Sequence, residues 1–162
     1  MTVVTRHVRV GDLAVDRAPG VLITVGLGSC VAVILHDPEG RIGGLAHVLL
    51  PAPSPGRPPR PEGRFALTAV PALLRAMGAH GTRRAAVTAR LVGGASMFAN
   101  LVAPGSVQVG ERNLVASREA LATAGIPVVG ESVGGDFGRS VEFDIASGSV
   151  LVTSYAHAPE HL

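Results

Sequence analysis

The feature that most constrains the fold is the run CVAVILHD, from Cys30 to Asp37, which is apolar at nearly every position before its last two residues. A strand buried on only one face alternates apolar and polar residues, whereas a strand covered on both faces is apolar almost throughout. The run therefore predicts a central strand in a sheet that has other elements packed on both of its faces.

Further short β-branched segments, separated by turn signals that contain Gly, Pro and Asp, predict more strands along the chain. In chain order these segments are RHVRV, VLITV, IGGLAHVLL, AAVTARLV, IPVVGESV, RSVEFDIA and SVLVTSY.

Two stretches have helical character instead. Apolar residues recur at helical spacing from Val70 to Met77, with Gly78 and Gly81 as stop signals, and this helix requires Pro71 to lie in its first turn. A second helix is predicted from Glu111 to Ala124. Together the segments predict an α/β sandwich with a central mixed β-sheet and two main helices.

The length of 162 residues favours one domain that covers residues 1–162. Six of the fourteen residues in the segment 51–64 are Pro, which predicts a mobile or extended loop. The strands before that loop are too few to close a core alone, so we do not expect it to separate two domains. The last residues, 156–162, are expected to form a loose tail.

Composition excludes several classes of function. Aromatic residues make up 3% of the chain, the net charge is only +2 and the arginines are scattered, so no nucleic-acid partner is expected. No apolar run approaches the ~20 residues of a membrane span, so no membrane insertion is expected. With one cysteine and no clustered ligand set, neither a disulfide nor a metal or cofactor is expected. The polar N-terminus favours a cytoplasmic protein.

Cys30 is the only cysteine, and it follows the glycine-rich turn GLGS. A thiol becomes a nucleophile only when a base or a positive environment removes its proton. Of the six histidines, His47 is the best placed, because an antiparallel hairpin with its turn near residues 38 and 39 puts Cys30 opposite Val48 or His47.

Two further features surround this pair. Thr24 lies six residues before Cys30, where its hydroxyl can orient the imidazole of His47. The GLGS turn lets the backbone approach a substrate carbonyl, so that N–H groups near Gly28, Ser29 and Cys30 can form an oxyanion hole.

Read from the residues alone, each of these positions also has a purely structural interpretation. A single Cys in an apolar strand is typical of a buried, inert side chain, and a His or Thr on a strand is commonly part of the core. Spacing by itself does not decide between the catalytic and the structural interpretation.

The segments TVGLGSCVAVILHDP, IGGLAHVLLP, RLVGGASMF, VGERN and GGDFGRSVEFD follow one another in the order typical of one family. With them, the chain resembles the chemoreceptor glutamine deamidases of the CheD family, from about Val10 to Tyr155. The resemblance implies an α/β fold similar to the catalytic domain of cytotoxic necrotizing factor toxins. It also implies a catalytic triad, which falls on Cys30, His47 and Thr24.

The same resemblance implies an enzyme of the protein-glutamine glutaminase class that converts Gln side chains of methyl-accepting chemoreceptors to Glu through a thioester on Cys30. The implied partners are the cytoplasmic helices of those receptors and a CheC-type phosphatase. Two alternatives stay open: a non-catalytic regulator that binds such a phosphatase, and another cysteine hydrolase such as a receptor methylesterase. Leu67 and Pro71 depart from the family pattern after the Pro-rich loop. This departure bears on how a substrate or partner docks near the loop and leaves the triad intact.

Overall fold

The structure is a computed structural model that describes residues 2–101, 103 and 105–162. This part of the chain contains ten β-strands and two α-helices. The strands are β1 (Val4–His7), β2 (Leu13–Arg17), β3 (Gly20–Leu27), β4 (Val31–Asp37), β5 (Ile42–Val48), β6 (Thr88–Gly93), β7 (Val128–Val133), β8 (Arg139–Asp144), β9 (Val150–Thr153) and β10 (Glu160–His161). The helices are α1 (Ala66–Ala79) and α2 (Val109–Ala124).

The strands form two five-stranded sheets, where the sequence predicted one central sheet. The first sheet has the order β1-β3-β8-β9-β10 and the second the order β2-β5-β4-β6-β7. Each sheet is mixed, because β1 is parallel to β3 and β6 is parallel to β7 while the other pairs are antiparallel. The prediction of an α/β fold with mixed β-structure and two helices is confirmed, and the single sheet is wrong.

Strand β4 explains how the layers are stacked. All of its residues are buried, as the apolar run predicted. Val31, Val33 and Leu35 pack in a cluster with both helices, whereas Ala32 and Ile34 pack against residues of the first sheet. Since successive side chains of a strand point to opposite faces, the second sheet is the middle layer between the helices and the first sheet.

The predicted hairpin of β4 and β5 is confirmed, but its register differs from the prediction. Val31 pairs with Val48 and Ala32 pairs with His47, so Cys30 lies one to two residues from the predicted alignment. The reason is the turn, which occupies residues 38–41 and is centred later than expected. Arg41 in this turn adopts a left-handed φ of 56°.

Helix α1 begins at Ala66, four residues before the predicted start. Pro71 therefore lies in the second turn, and the prediction that it occupies the first turn is wrong. The missing N–H of Pro71 leaves only the C=O of Leu67 without its helical partner, and Leu67 is 60% exposed, so solvent can reach it. Helix α2 begins two residues before the predicted Glu111 and ends as predicted, with Gly125 in the left-handed conformation.

The Pro-rich loop and the C-terminal tail are each more regular at their ends than the sequence predicted. The Pro-rich loop is irregular from residue 51 to residue 61, and Glu62–Arg64 form a short 3-10 helix. The tail is not loose at its end: β10 pairs with β9, and Leu162 exchanges two backbone hydrogen bonds with Val150. A two-residue strand is too short to produce a recognisable apolar pattern, which is why the sequence did not reveal it.

Candidate active site

The loop that connects β3 to β4 carries Cys30, and its backbone is held by hydrogen bonds to its carbonyl groups. The C=O of Gly28 accepts from the N–H of Ala95 at 2.8 Å, and the C=O of Cys30 accepts from the N–H of Gly94 at 2.8 Å. Between them, the C=O of Ser29 accepts from the side-chain Nδ2 of Asn113 at 2.9 Å. Three successive carbonyl groups of the loop are thus tied to the segment after β6 and to α2.

In contrast to these carbonyl groups, two N–H groups of the same loop have no hydrogen-bond partner among the described residues. Within the described part of the chain, neither the N–H of Ser29 nor that of Cys30 donates a hydrogen bond to another protein group. Unpaired N–H groups beside a candidate nucleophile are the donors from which oxyanion holes are built. The predicted role of the Gly28–Ser29 turn is therefore compatible with the backbone geometry.

Cys30 itself lies at the edge of the layer between the two sheets. Its side chain is 7% exposed and belongs to the apolar cluster that contains Ala32, Ile34 and Val92. Burial raises the pKa of the Cys30 thiol, because the thiolate loses hydration there. The free protein therefore holds Cys30 as a neutral thiol at neutral pH.

His47 and Thr24 are in direct contact. Both residues are buried, and the Oγ1 of Thr24 lies 2.7 Å from the Nδ1 of His47. The same hydroxyl lies 2.6 Å from the carbonyl oxygen of Val8. The structure thus places side by side two of the three residues that the sequence singled out, although 23 positions separate them.

These two contacts determine the tautomer of His47. A carbonyl oxygen has no proton, so the single hydroxyl proton of Thr24 is donated to Val8. Thr24 can then only accept a hydrogen bond from His47, which requires the proton of the neutral imidazole to be on Nδ1. The other nitrogen, Nε2, keeps its lone pair and is the atom that can act as a base.

The Nε2 atom of His47 is buried and has no hydrogen-bond partner among the described residues. Burial lowers the pKa of His47, because the imidazolium form is poorly solvated in this environment. His47 is therefore neutral at neutral pH, with an unoccupied basic nitrogen.

Cys30 and His47 face the same layer but do not form a hydrogen bond in this structure. Cys30 is two residues from Ala32, which pairs with His47, so the two side chains occupy diagonal positions on one face. Diagonal neighbours on a sheet are about 7–8 Å apart, within reach of a rotation of either side chain. Because neither group is charged, the free site holds a neutral thiol and imidazole and not a thiolate–imidazolium pair.

Sequence reasoning did not assign two residues that support this loop. Asn113, in the segment GERN, is fully buried and donates to the carbonyls of Ser29 and Leu49. Gly93 has a φ of 110°, and a Cβ at this position would collide with the carbonyl oxygen of Cys30. The only signal in the sequence was their presence in segments that carry the family resemblance.

A surface cavity of about 570 Å³ lies beside the nucleophile loop. Gly26 and Met97 are among its lining residues. The Sδ of Met97 lies so close to Gly28 that a Cβ added to Gly28 would collide with it at 2.8 Å. Phe137, Arg139 and Tyr155 contribute to its wall. The loop that carries Cys30 is thus bordered by a partly apolar cavity open to solvent.

A family model described as CheD chemotactic sensory transduction matches residues 49–154, which is more than half of the chain. The chain belongs to the CheD family. It is 44% identical over 146 residues to a Geobacter metallireducens protein named probable chemoreceptor glutamine deamidase CheD 2, with 90% of each chain covered. It is 41% identical over 143 residues to the chemoreceptor glutamine deamidase CheD of Thermotoga maritima, with 88% of this chain and 87% of that protein covered.

A third CheD relative aligns with nearly the whole chain. The probable chemoreceptor glutamine deamidase CheD of Caldanaerobacter subterraneus is 36% identical over 160 residues, which cover 98% of this chain and 99% of that protein. A match of this extent includes the segment from Thr24 to His47, which the family model, beginning at residue 49, does not reach.

Among solved structures, the Bacillus licheniformis hypothetical protein YfiH is similar with a TM-score of 0.48 and 16% identity. The likeness covers 76% of this chain and 49% of that one. The similarity to cytotoxic necrotizing factor toxins stays a prediction. No helix in the described part of this CheD chain has the length and apolar character needed to cross a bilayer.

Proposed function

We propose that this CheD protein is a protein-glutamine deamidase that converts Gln side chains of chemoreceptors to Glu, with Cys30 as the nucleophile. The observation that carries the proposal is the contact between Thr24 and His47, which leaves Nε2 of His47 as a buried, unpaired base on the face that it shares with Cys30. The names of the curated relatives supply the substrate class.

The first half of the reaction forms a thioester. Nε2 of His47 takes the proton of the Cys30 thiol as Sγ attacks the carboxamide carbon of the substrate Gln. The N–H groups of Ser29 and Cys30 donate to the negatively charged oxygen of the tetrahedral intermediate. This intermediate collapses when His47 returns the proton to the nitrogen, so that ammonia leaves and a thioester between Cys30 and the substrate remains.

The second half releases the product. Nε2 of His47 takes a proton from a water molecule, whose oxygen attacks the thioester carbon. The carbon–sulfur bond breaks, the proton returns to Sγ, and the receptor side chain leaves as Glu. Water is the only co-reactant, and no redox step occurs. Its oxygen enters the carboxyl group of the Glu product, and one of its protons restores the Cys30 thiol.

The neutral state of the site determines when the thiol is activated. Burial raises the pKa of Cys30 and lowers that of His47, so proton transfer between them is unfavourable before substrate is bound. Substrate binding brings a carbonyl on which negative charge develops beside unpaired N–H donors, which makes the transfer and the attack favourable together. The proposed enzyme therefore uses His47 as a general base and not as the partner of a preformed thiolate.

The partners follow from the substrate. A receptor helix presents its Gln side chains at the surface, and the cavity beside the nucleophile loop is the proposed place for the segment that flanks the reacting residue. Methyl-accepting receptors expose such helices in the cytoplasm, which is therefore the proposed location. Binding of a CheC-type phosphatase, expected from the resemblance, stays a prediction.

The test compares two forms of one receptor cytoplasmic fragment, with Gln or with Glu methyl ester at the modification positions. The proposal predicts ammonia release and conversion of Gln to Glu from the first form, detected by peptide mass spectrometry. Release of methanol from the second form without ammonia from the first would instead identify a methylesterase. Activity toward neither form would leave a binding protein as the better account.

A further inference from the structure

The side-chain amide of Asn113 occupies a position between the two chain segments that carry the proposed catalytic residues. Asn113 lies in the second turn of α2 and is fully buried. Its Nδ2 donates to the carbonyl oxygen of Ser29 at 2.9 Å and to that of Leu49 at 3.0 Å. Ser29 directly precedes Cys30, and Leu49 directly follows β5, the strand that contains His47.

The orientation of this amide is determined by its partners. Both groups beside Nδ2 are carbonyl oxygens, which only accept hydrogen bonds, so the NH2 group and not Oδ1 must face them. The Oδ1 atom is buried and has no hydrogen-bond partner among the residues that the structure describes. The amide therefore leaves Oδ1 without a hydrogen bond among these residues while Nδ2 donates to both carbonyl groups.

The peptide group between Ser29 and Cys30 links Asn113 to the chemistry. In a planar trans peptide the C=O and the N–H point in opposite directions. A hydrogen bond that Asn113 donates to the C=O of Ser29 thus directs the N–H of Cys30 away from α2. Such a bond also polarises the peptide group, which makes its N–H a stronger donor.

The preceding peptide group has the same arrangement. The C=O of Gly28 accepts from the N–H of Ala95, and the N–H of Ser29 belongs to this peptide group and is directed away from Ala95. The two candidate oxyanion donors, the N–H groups of Ser29 and Cys30, are therefore each oriented by a hydrogen bond to the C=O of their own peptide group. Ala95 contributes through its backbone, whereas Asn113 contributes through a side chain that a substitution can change.

We infer that Asn113 is a positioning residue that orients and polarises the N–H of Cys30 for the oxyanion of the tetrahedral intermediate. The inference rests on the proposed function, in which an acyl group is transferred to Cys30. Asn113 does not touch the substrate. It acts through the Ser29–Cys30 peptide group, and its bond to Leu49 keeps this peptide in register with the segment after His47.

A purely structural role makes a different prediction. If Asn113 only maintained the fold, its loss would change every reaction of Cys30 together. An orienting role affects only reactions that pass through an oxyanion. Acylation of Cys30 by p-nitrophenyl acetate forms a tetrahedral oxyanion, whereas alkylation by iodoacetamide displaces iodide at a saturated carbon and forms none.

The experiment uses the full chain and the variants Asn113→Ala and Asn113→Ser. In the Ser variant the hydroxyl can donate to the helical C=O four residues earlier, so this variant leaves no new unpaired donor in the buried site and provides a second chance of a folded protein that lacks the bond to Ser29. The matched control is Ser117→Ala, one turn further along α2, where a buried hydroxyl lacks a partner within the described residues. Rates of both reactions at Cys30 are followed by intact-protein mass spectrometry, and kcat and KM are measured with the receptor fragment.

The inference predicts that either Asn113 variant lowers the rate of acylation and kcat by about tenfold or more, with alkylation unchanged. Ser117→Ala should leave all rates unchanged. A parallel loss of acylation and alkylation, or no loss of acylation, would overturn the inference. A wild-type protein that is alkylated but not acylated would overturn it as well.

Failure of the proposed function is recognised separately. If the wild-type protein does not deamidate the receptor fragment, the deamidase proposal fails whatever Asn113 does. The comparison of acylation with alkylation does not use the receptor, so it tests the orienting role of Asn113 in that case too.

Discussion

The hydroxyl of Thr24 lies between the carbonyl of Val8 and the imidazole of His47, and this position determines which nitrogen of His47 carries the proton. With the proton on Nδ1, the basic Nε2 is available on the face shared with Cys30. Thr24, a buried threonine of β3, thus determines the protonation pattern of the proposed base.

The substitution Thr24→Val keeps the shape of the side chain but removes the acceptor for Nδ1–H. We expect kcat to fall by about 10- to 100-fold, because an unpaired buried donor costs about 1–3 kcal/mol and the tautomer of His47 is no longer fixed. Steady-state kinetics with a receptor fragment measures the effect. Thr24→Ser keeps the hydroxyl and should retain most of the activity, and a Val variant as active as wild type would show that Thr24 has no orienting role.

The lowered pKa of His47 predicts an unusual acid limb of the pH profile. The base must be unprotonated, and a pKa below the ordinary histidine value of 6.5 keeps it so at lower pH. We expect kcat/KM to stay constant as the pH falls through 6.5 and to decline only below it. A decline centred above pH 6.5 would mean that His47 is stabilised in its charged form, which would contradict the lowering of its pKa by burial.

The substitution Gly93→Ala tests whether activity requires the observed position of the nucleophile loop backbone. With a φ of 110° and the carbonyl oxygen of Cys30 where a Cβ would lie, Gly93→Ala must displace the Cys30 peptide or strain the end of β6. We expect a large loss of kcat, measured with a receptor fragment.

The control for this prediction is Gly78→Ala in α1, where a Cβ meets no atom within 4 Å. We expect this variant to keep full activity and to raise the free energy of unfolding by about 0.5–1 kcal/mol, measured by chemical denaturation. Full activity in Gly93→Ala would show that the loop tolerates movement of Cys30.

His36 provides a prediction about stability. It is buried, its Nε2 donates to the carbonyl of Ile145 at 2.9 Å, and burial is the main cause that lowers its pKa. The unfolded chain then binds more protons than the folded protein once the pH falls below 6.5. The free energy of unfolding is therefore expected to be unaffected above that pH and to decrease as the pH falls through the lowered pKa.

The substitution His36→Gln keeps a donor for Ile145 but removes the titrating group. Urea denaturation at a series of pH values should show a shallower acid decrease for this variant, by up to about 1.4 kcal/mol per pH unit. An identical decrease in the variant and the wild type would show that His36 contributes nothing to the acid sensitivity.

The sequence was most informative where the physical signal was local. The apolar run of β4 predicted a strand covered on both faces, and the hairpin with β5 follows from the turn between them. The same hairpin placed His47 on the face used by Cys30, although the register was displaced because the turn is centred later than assumed.

The features that the sequence did not predict depend on contacts between distant segments. The division into two sheets is determined by pairings such as that of β3 with β8. Asn113 contacts Ser29 across 84 positions and Leu49 across 64, and no local pattern indicates such a bond. The Thr24–His47 contact joins a residue of one sheet to a residue of the other, so only the packed layers reveal it.

The most direct test of the account is the conversion of Gln to Glu in a receptor fragment, followed by mass spectrometry with the wild-type protein and with Cys30→Ala and His47→Asn. His36→Gln serves as the control for loss of a buried histidine. We predict conversion by the wild-type protein and by His36→Gln, and none above background by Cys30→Ala or His47→Asn. Conversion by Cys30→Ala at the wild-type rate would contradict the assignment of Cys30 as the nucleophile.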